Sequence, residues 1–300
     1  MTDILCLGEP LVEFVRLENG TYKRGFGGDT SNAAIAAARQ GASVGYLTKL
    51  GKDRFGDSIM ALWAREGVDA SLVTRASDAQ TGIYFIDPDP EGRFFTYYRD
   101  GSAAARMTPN ELPLDAIRST KCFHLSGITL AVSEPLRQTA FTALHSAREA
   151  GATVSLDTNL RLKLWDIETA RAQTHQAMAL TDIAITSIED SADLTGLTQP
   201  EQVADFYHEL GARIILVTMG PEGCLLSENR VSTHVAPVPT IAVDSTGAGD
   251  SFAGAFLAWW LETDDPILAA SRAARVAAGT VSGLGAVAPI PHRDAILAAE

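Results

Sequence analysis

The chain has 300 residues, a length that suits one large α/β domain or two small ones and can bury a sizeable core. Its formal net charge of −13 repels nucleic acid and anionic membranes, so we expect neither as a partner. No apolar run approaches the roughly 18 residues needed to span a bilayer. No secretory signal is visible either, so we expect a cytoplasmic protein.

Short apolar segments typical of buried strands alternate along the chain with segments of helical pattern. The predicted strands cover residues 4–7, 43–48, 122–125, 153–156, 182–185 and 214–218. The predicted helices cover residues 33–39, 58–66, 134–150 and 251–261. This alternation predicts an α/β fold in which helices cover a mostly parallel sheet.

Two segments, residues 11–24 and 82–99, break this alternation and have the pattern of antiparallel ribbons. The second predicts a β-hairpin with strands at 83–86 and 93–99 and a turn at 87–92. Because such strands do not join a parallel sheet simply, we expect them to form a small β-sheet that projects from the main body as a lid.

The strongest motif is the segment DSTGAGD at residues 244–250, which is followed by an apolar helix. Small residues let the backbone approach a ligand, and the unsatisfied N–H groups of a helix start form an anion site suited to phosphate. Asp250 lies at the same helix end, where the helix dipole favours the ionised carboxylate that can accept a hydroxyl proton. The alternative is a glycine loop with an ordinary first-turn acid.

The second motif is the segment GGDTSNAA at residues 27–34. Gly27 and Gly28 permit close backbone approach, and Asn32, one turn later, can both donate to and accept from sugar hydroxyls. A capped helix with small packing residues would look the same, so this motif alone leaves both interpretations open.

Together the two motifs, in this order, resemble the two signatures of the ribokinase-like (PfkB) family of carbohydrate kinases; Ser245 replaces the usual threonine of the second signature. The resemblance covers essentially the whole chain. It implies one kinase domain over residues 1–300, a ribokinase-like three-layer αβα sandwich with a lid, and transfer of a phosphoryl group from ATP to a carbohydrate hydroxyl with Mg²⁺.

The resemblance also implies roles for individual residues. Asp250 would be the catalytic base, and Asp244 would line a K⁺ site. The segment at 187–190 stands where the family often has an N-x-x-E motif that organises Mg²⁺ through water; Asp190 or Glu189 would supply the acid, and Ser187 could equally be a helix cap. The residues expected around ATP and its anion hole are Ser187, Thr218, Gly220, Gly223, Gly247, Ala248 and Gly249.

Three segments, residues 23–30, 97–99 and 157–161, closely resemble 2-keto-3-deoxygluconate kinases. By this resemblance Arg99 and Arg161 bind the carboxylate of a sugar acid, helped by Tyr84 and Tyr97. Guanidinium groups hold carboxylates by charge-assisted, often bidentate hydrogen bonds. The alternative is that Arg99 is a solvated charge at the end of the hairpin.

Other acceptors stay open, namely fructose, another sugar acid or a nucleoside, although a nucleoside kinase should have apolar and aromatic groups in place of the two arginines. A catalytically silent sugar-binding protein is a third alternative, which the intact 247–250 segment argues against. In this family the lid sheets of two subunits often clasp each other, which makes a homodimer through the lid a further expectation.

Overall fold

The computed structural model describes residues 2–89 and 92–298. The strands are β1 Ile4–Leu7, β2 Leu11–Arg16, β3 Tyr22–Gly27, β4 Val44–Leu47, β5 Lys49–Gly51, β6 Val68–Asp69, β7 Thr74–Ala76, β8 Ile83–Asp89, β9 Gly92–Tyr98, β10 Cys122–Ser126, β11 Thr153–Asp157, β12 Ile183–Ser187, β13 Ile214–Thr218, β14 Cys224–Glu228 and β15 Val231–Val235. The helices are α1 Asp29–Arg39, α2 Arg54–Glu66, α3 Leu114–Ser119, α4 Gly127–Ala131, α5 Glu134–Glu149, α6 Ile167–Met178, α7 Ile188–Thr195, α8 Pro200–Leu210, α9 Ala248–Thr263, α10 Pro266–Val281 and α11 Arg293–Leu297.

Nine strands form the main sheet, in the order β15-β14-β13-β12-β11-β10-β1-β4-β6. The seven strands from β13 to β6 in this order pair in parallel, which confirms the predicted α/β class and the six predicted strands. The two remaining strands, β14 and β15, were not predicted. β14 pairs antiparallel with β13, and β15 pairs antiparallel with β14.

Helices cover both faces of the main sheet, so the fold has three layers. Ile4 and Cys6 of β1 face one core, which they share with residues of α1, α2, α9 and α10. Leu5 and Leu7, the alternate residues of the same strand, face a second core shared with α5, α6 and α8. Alternation of buried apolar side chains on both faces is typical of a parallel sheet between helices. Within the described ranges no helix has the length and apolar character needed to cross a bilayer.

The first helix begins at Asp29 rather than at residue 33, because its polar first turn lacks the apolar periodicity on which the prediction rested.

Small residues let α1 pack closely against α9. A Cβ on Gly254 of α9 would lie only 1.9 Å from the carbonyl oxygen of Ala33. This close packing holds the first turns of the two helices side by side.

A separate four-stranded sheet has the order β3-β2-β8-β9 and unites the two segments that break the alternation. Its two hairpins, β2–β3 and β8–β9, are antiparallel as predicted, and a parallel pairing of β2 with β8 joins them. The predicted turn at 87–92 is too long, because β8 continues to Asp89 and β9 begins at Gly92. Residues 90–91 lie outside the described residues.

Candidate active site

The candidate site lies at the carboxyl edge of the main sheet, where ligands bind in open α/β sheets. Asp157, Ser187 and Thr218 end three neighbouring parallel strands there. Ser187 and Thr218 are direct partners in the register of β12 and β13. The parallel topology therefore brings together side chains that are distant along the chain.

Asp250, in the first turn of α9, is held by two amide side chains. Its Oδ2 accepts a hydrogen bond from Nδ2 of Asn32 at 2.8 Å, across the α1–α9 contact. Its Oδ1 accepts one from Nδ2 of Asn159 at 3.2 Å. Asn32 was predicted to lie in the site; Asn159 was not, although it lies inside the 157–161 segment that the analysis singled out for its arginine.

The pKa of Asp250 is raised to about 6, chiefly because burial disfavours the charged form and secondly because of the negative charge of Asp29. The amide groups of Asn32 and Asn159 and the positive charge of Arg161 act in the opposite direction. A carboxylate with such a pKa is largely ionised at neutral pH and still basic enough to accept a proton from a hydroxyl group.

The glycine loop before α9 adopts the conformation that an anion site needs. Gly247 has φ 78°, in the left-handed region, and a Cβ there would lie 2.9 Å from Ala286, so only glycine fits. Among the described residues, the amides of Gly249 and Asp250 have no hydrogen-bond acceptor. They can therefore donate to an anion at the positive end of α9.

Asp244 ties this glycine loop to the loop that follows α10. Its Oδ1 accepts a hydrogen bond from the amide of Thr246 at 3.0 Å, and its Oδ2 accepts one from the amide of Gly285 at 3.0 Å. The carboxylate thus fixes the position of the two loops that flank the expected nucleotide site.

The small sheet contributes a tyrosine cluster beside the Gly-Gly segment. A Cβ on Gly27 would lie 2.3 Å from the hydroxyl oxygen of Tyr84, so glycine is required for this close approach. The hydroxyl of Tyr84 donates to Oε2 of the buried Glu13 at 2.5 Å. The ring of Tyr97 stacks on that of Tyr84 with centroids 5.4 Å apart and remains 41% exposed. Tyr97 is thus the accessible member of the cluster.

Arg99 is not a solvated hairpin charge, because its side chain is buried in an ion pair with Glu9. Its Nε donates to Oε2 of Glu9 at 2.7 Å, and its second terminal nitrogen contacts the same oxygen. The hydroxyl of Ser102 donates to Oε1 of Glu9. The guanidinium also lies 5.6 Å from the ring centroid of Tyr97. The sequence did not reveal this partner, which lies 90 residues earlier in the chain.

Arg161 lies in the loop after β11 and is exposed. One of its terminal nitrogens donates to the carbonyl of Leu160 at 2.7 Å. In the described part of the chain no carboxylate lies within ion-pair distance of Arg161. Its charge nevertheless lowers the pKa of both Asp29 and Asp250, which places the guanidinium close to the site.

Two further acids of the site, Asp29 and Asp157, were not predicted, although both stand inside segments that the sequence analysis used. Asp29 accepts a hydrogen bond from the hydroxyl of Ser126, and burial raises its pKa. The pKa of Asp157 is raised well above its usual range by burial and by the charge of Asp250. The site is therefore acidic, and its positive charge comes from few groups.

Ser187 caps helix α7: its Oγ accepts from the amide of Asp190 at 3.0 Å, which confirms the helix-cap interpretation. Asp190 in turn accepts two hydrogen bonds from the loop that carries Asn159 and Arg161. Glu189, next to it, is exposed. The remaining residues expected near ATP lie at the end of β13 and in the turn that follows, namely Thr218, Gly220 and Gly223.

A cavity of 850 Å³ opens between the small sheet and the two loops that Asp244 joins. Lys23 and Arg24 of β3 line one side, and Thr246 and the 284–288 loop line the other. The volume falls in the range of small-molecule sites.

The model of the pfkB family carbohydrate kinases matches residues 1–293 of this chain. A fructokinase from Solanum tuberosum is 35% identical over 262 residues, which cover 85% of this chain and 79% of that protein. A 2-dehydro-3-deoxygluconokinase from Dickeya dadantii is 32% identical over 302 residues, which cover 96% of this chain and 97% of that protein.

Solved structures resemble the chain over its whole length. A PfkB protein from Polaromonas sp. JS666 has a TM-score of 0.90 at 31% identity, with 100% of both chains covered. A chain from E. coli solved in complex with ATP and Mg²⁺ shares the fold, with a TM-score of 0.91, 24% identity and coverage of 99% of this chain and 98% of that one.

Proposed function

The chain belongs to the pfkB family of carbohydrate kinases and has the ribokinase-like fold, so it is an ATP-dependent sugar kinase; we propose that its acceptor is a sugar acid, 2-keto-3-deoxygluconate. The product would be the 6-phosphate. Relatives of both kinds, fructokinases and 2-dehydro-3-deoxygluconokinases, match the chain, so the choice between acceptors depends on the residues of the site itself.

The observation that carries the proposal is the environment of Arg161. The protein has 37 aspartate and glutamate residues, yet none of those described forms an ion pair with this guanidinium. An arginine close to Asp29 and Asp250, with no carboxylate partner among the described residues, is suited to bind an anionic group of the substrate. Because the net charge of −13 repels an anion at long range, the attraction must be local.

Asp250 would act as the general base. Its carboxylate takes the proton of the substrate's terminal hydroxyl while that oxygen forms a bond to the γ-phosphorus of ATP. The bond between the γ-phosphorus and the bridging oxygen breaks, and ADP leaves with the electron pair. Phosphoryl transfer of this kind depends mainly on in-line positioning and on charge stabilisation.

The amides of Gly247, Gly249 and Asp250 would face the charge that develops on the transferred phosphoryl group, whereas the amide of Ala248 already donates to the carbonyl of Ser245 at 3.2 Å. Mg²⁺ would supply further charge neutralisation. It keeps several waters and needs only one or two carboxylates besides phosphate oxygens, which suits the exposed Glu189 at the start of α7 better than the engaged Asp190. Asp244 remains our proposed contact for a monovalent cation such as K⁺.

The small sheet would act as a lid on the sugar. Asn32 and the exposed Tyr97 would contact hydroxyl groups of the sugar, and Glu13 holds Tyr84 in position. Closing of the sheet would exclude water, which otherwise competes with the sugar as acceptor. In this arrangement Arg161 contacts the carboxylate directly, and Arg99 supports the site from behind Tyr97.

One observation favours a neutral acceptor such as fructose. Because Glu9 neutralises Arg99, the site offers one arginine without a carboxylate partner rather than the two that the sequence suggested. A single guanidinium discriminates less strongly between an acid and a neutral sugar than two would.

The values of kcat/KM of Arg161→Ala for 2-keto-3-deoxygluconate and for fructose distinguish the two candidate acceptors. A charged hydrogen bond contributes about 1.5–3 kcal/mol, so the acid should lose roughly tenfold to 150-fold while fructose changes little. Lys163→Ala removes an exposed positive charge from the same loop and serves as the matched control, for which we expect no selective loss. Equal losses for acid and fructose would assign Arg161 to ATP or to the fold instead.

A further inference from the structure

Asn159 combines an unusual backbone conformation with a direct contact to Asp250. Its φ of 33° lies in the left-handed region, which costs free energy for a residue with a side chain, although asparagine tolerates it better than most. Its side chain is buried, and Nδ2 donates to Oδ1 of Asp250 at 3.2 Å. The left-handed turn is what directs this amide toward α9.

The residues on both sides of Asn159 are fixed by Asp190. Oδ2 of Asp190 accepts from the amide of Leu160 at 2.8 Å and from the hydroxyl of Thr158 at 3.0 Å. The amide of Thr158 donates to the carbonyl of Ile185 at 2.9 Å. The loop is therefore held on each side of the strained residue, which is how a strained conformation persists in a folded protein.

The two amides constrain the Asp250 carboxylate completely. Asn32 donates to one oxygen and Asn159 to the other, so the plane of the carboxylate is fixed and each oxygen keeps a lone pair. The charged groups that face Asp250 from the neighbouring elements are Asp29 of α1, Asp157 of β11 and Arg161 of the same loop. Because burial and the negative charge of Asp29 already favour the protonated form of Asp250, loss of one amide donor would favour it further.

We propose that Asn159 is a positioning residue for the catalytic base, and that Asp190 acts on the reaction through Asn159 by holding the 158–160 loop. This inference rests on the proposed role of Asp250 as the base. It gives Asp190 a function that does not require contact with Mg²⁺, ATP or sugar.

The first test is the pH dependence of kcat for Asn159→Gly, with whichever of 2-keto-3-deoxygluconate and fructose is the better substrate. Glycine tolerates the left-handed φ, so the variant removes the amide with little backbone strain. A hydrogen bond to a charged group corresponds to about one to two pH units. The acidic limb should move upward by that amount, kcat at pH 6 should fall roughly fivefold to fiftyfold, and KM should change less than kcat.

Asn229→Gly is the matched control, since Asn229 is also left-handed, with φ 49°, but lies exposed in the turn between β14 and β15. The acidic limb of the kcat profile of Asn229→Gly should coincide with that of the wild type. An unmoved limb in Asn159→Gly, or a fall in kcat that is equal at every pH, would overturn the positioning role of Asn159.

The second test places Asp190→Ala in two backgrounds. In the wild type it should move the acidic limb in the same direction, and in Asn159→Gly it should add no further shift, because it acts through the missing amide. Should Asp190→Ala fail to fold, Asp190→Asn, which keeps an acceptor for the Leu160 amide, should show a smaller shift that also vanishes in Asn159→Gly. Additive shifts would overturn the inference.

The role of Asp250 as the base is tested separately. Asp250→Asn with near-normal kcat would remove Asp250 from the role of base. An inactive Asp250→Asn together with an unmoved limb in Asn159→Gly would leave the base in place and overturn only the role of Asn159.

Discussion

Glu9 and Arg99 form an ion pair buried between the end of β1 and the end of β9, and it links the main sheet to the small sheet. The sequence suggested a guanidinium available to substrate, whereas the structure shows one whose charge is already balanced. Arg99 can still support Tyr97, whose ring lies over its guanidinium, so its effect on the substrate would be indirect. Under the proposed function, recognition of the substrate's charge would then depend mainly on Arg161.

This pairing predicts a large effect on stability. Removing one partner of a buried ion pair typically costs about 3–5 kcal/mol, because the other charge is left buried and unpaired. Urea denaturation of Glu9→Gln should show a loss of this order in the free energy of unfolding. Arg118→Ala breaks an exposed pair with Asp115 and should cost less than about 1 kcal/mol. Equal losses in the two variants would show that the Glu9–Arg99 pair is not effectively buried.

The raised pKa of Asp250 predicts the acidic limb of the pH profile of kcat/KM. The base must be ionised to accept a proton, so activity should fall as pH decreases through about 6, the pKa of this carboxyl. For an ordinary aspartate the fall would come near 4. A midpoint below about 4.5 would contradict the desolvated environment that the structure shows for Asp250.

Asp250→Asn should nearly abolish turnover and leave the fold intact. Asparagine keeps the shape of the side chain but cannot accept the proton, and loss of a general base typically costs on the order of 10²–10⁴ in rate. The measurement is kcat in a coupled ADP-release assay, with circular dichroism as the check on folding. A folded variant with kcat near the wild-type value would exclude Asp250 as the base.

Much of this site could be predicted because its parts lie in segments with strong local signals. The DSTGAGD segment combines small residues with a helix start, and its geometry is set by neighbours in the chain, as the left-handed Gly247 shows. Strand residues were equally predictable, because strands buried on both faces consist of continuous apolar residues. The β14–β15 hairpin was missed because its turn, Asn229–Arg230, has two left-handed residues without the glycine that usually marks such turns.

The contacts that define the chemistry could not be predicted from local pattern. Asn159 meets Asp250 across 91 positions of the chain, and Arg99 meets Glu9 across 90. Both contacts depend on which strands are adjacent and on how closely helices pack, as at Gly254 and Ala33. A sequence motif identifies a chemical group, but the partner that sets its charge or pKa is determined by the tertiary fold.

The small sheet should become protected from hydrogen exchange when the acceptor binds. Phe94, Tyr97 and Tyr98 of β9 are more than 40% exposed, so closure over an acceptor would remove these side chains from solvent. Exchange in residues 82–99 should slow under saturating 2-keto-3-deoxygluconate, while the β14–β15 hairpin serves as an internal reference that should not change. Unchanged exchange in residues 82–99 would count against a lid.

The central claim, a sugar acid as acceptor, is tested most directly by kcat/KM of the wild-type enzyme for 2-keto-3-deoxygluconate, fructose and ribose under identical ATP and Mg²⁺. Binding of the carboxylate by Arg161 contributes to the acid alone, and a neutral sugar leaves the guanidinium without its partner. We expect 2-keto-3-deoxygluconate to exceed both neutral sugars by about two orders of magnitude. Fructose with a kcat/KM equal to or above that of the acid would contradict the substrate assignment and leave a sugar kinase of the same fold with a neutral acceptor.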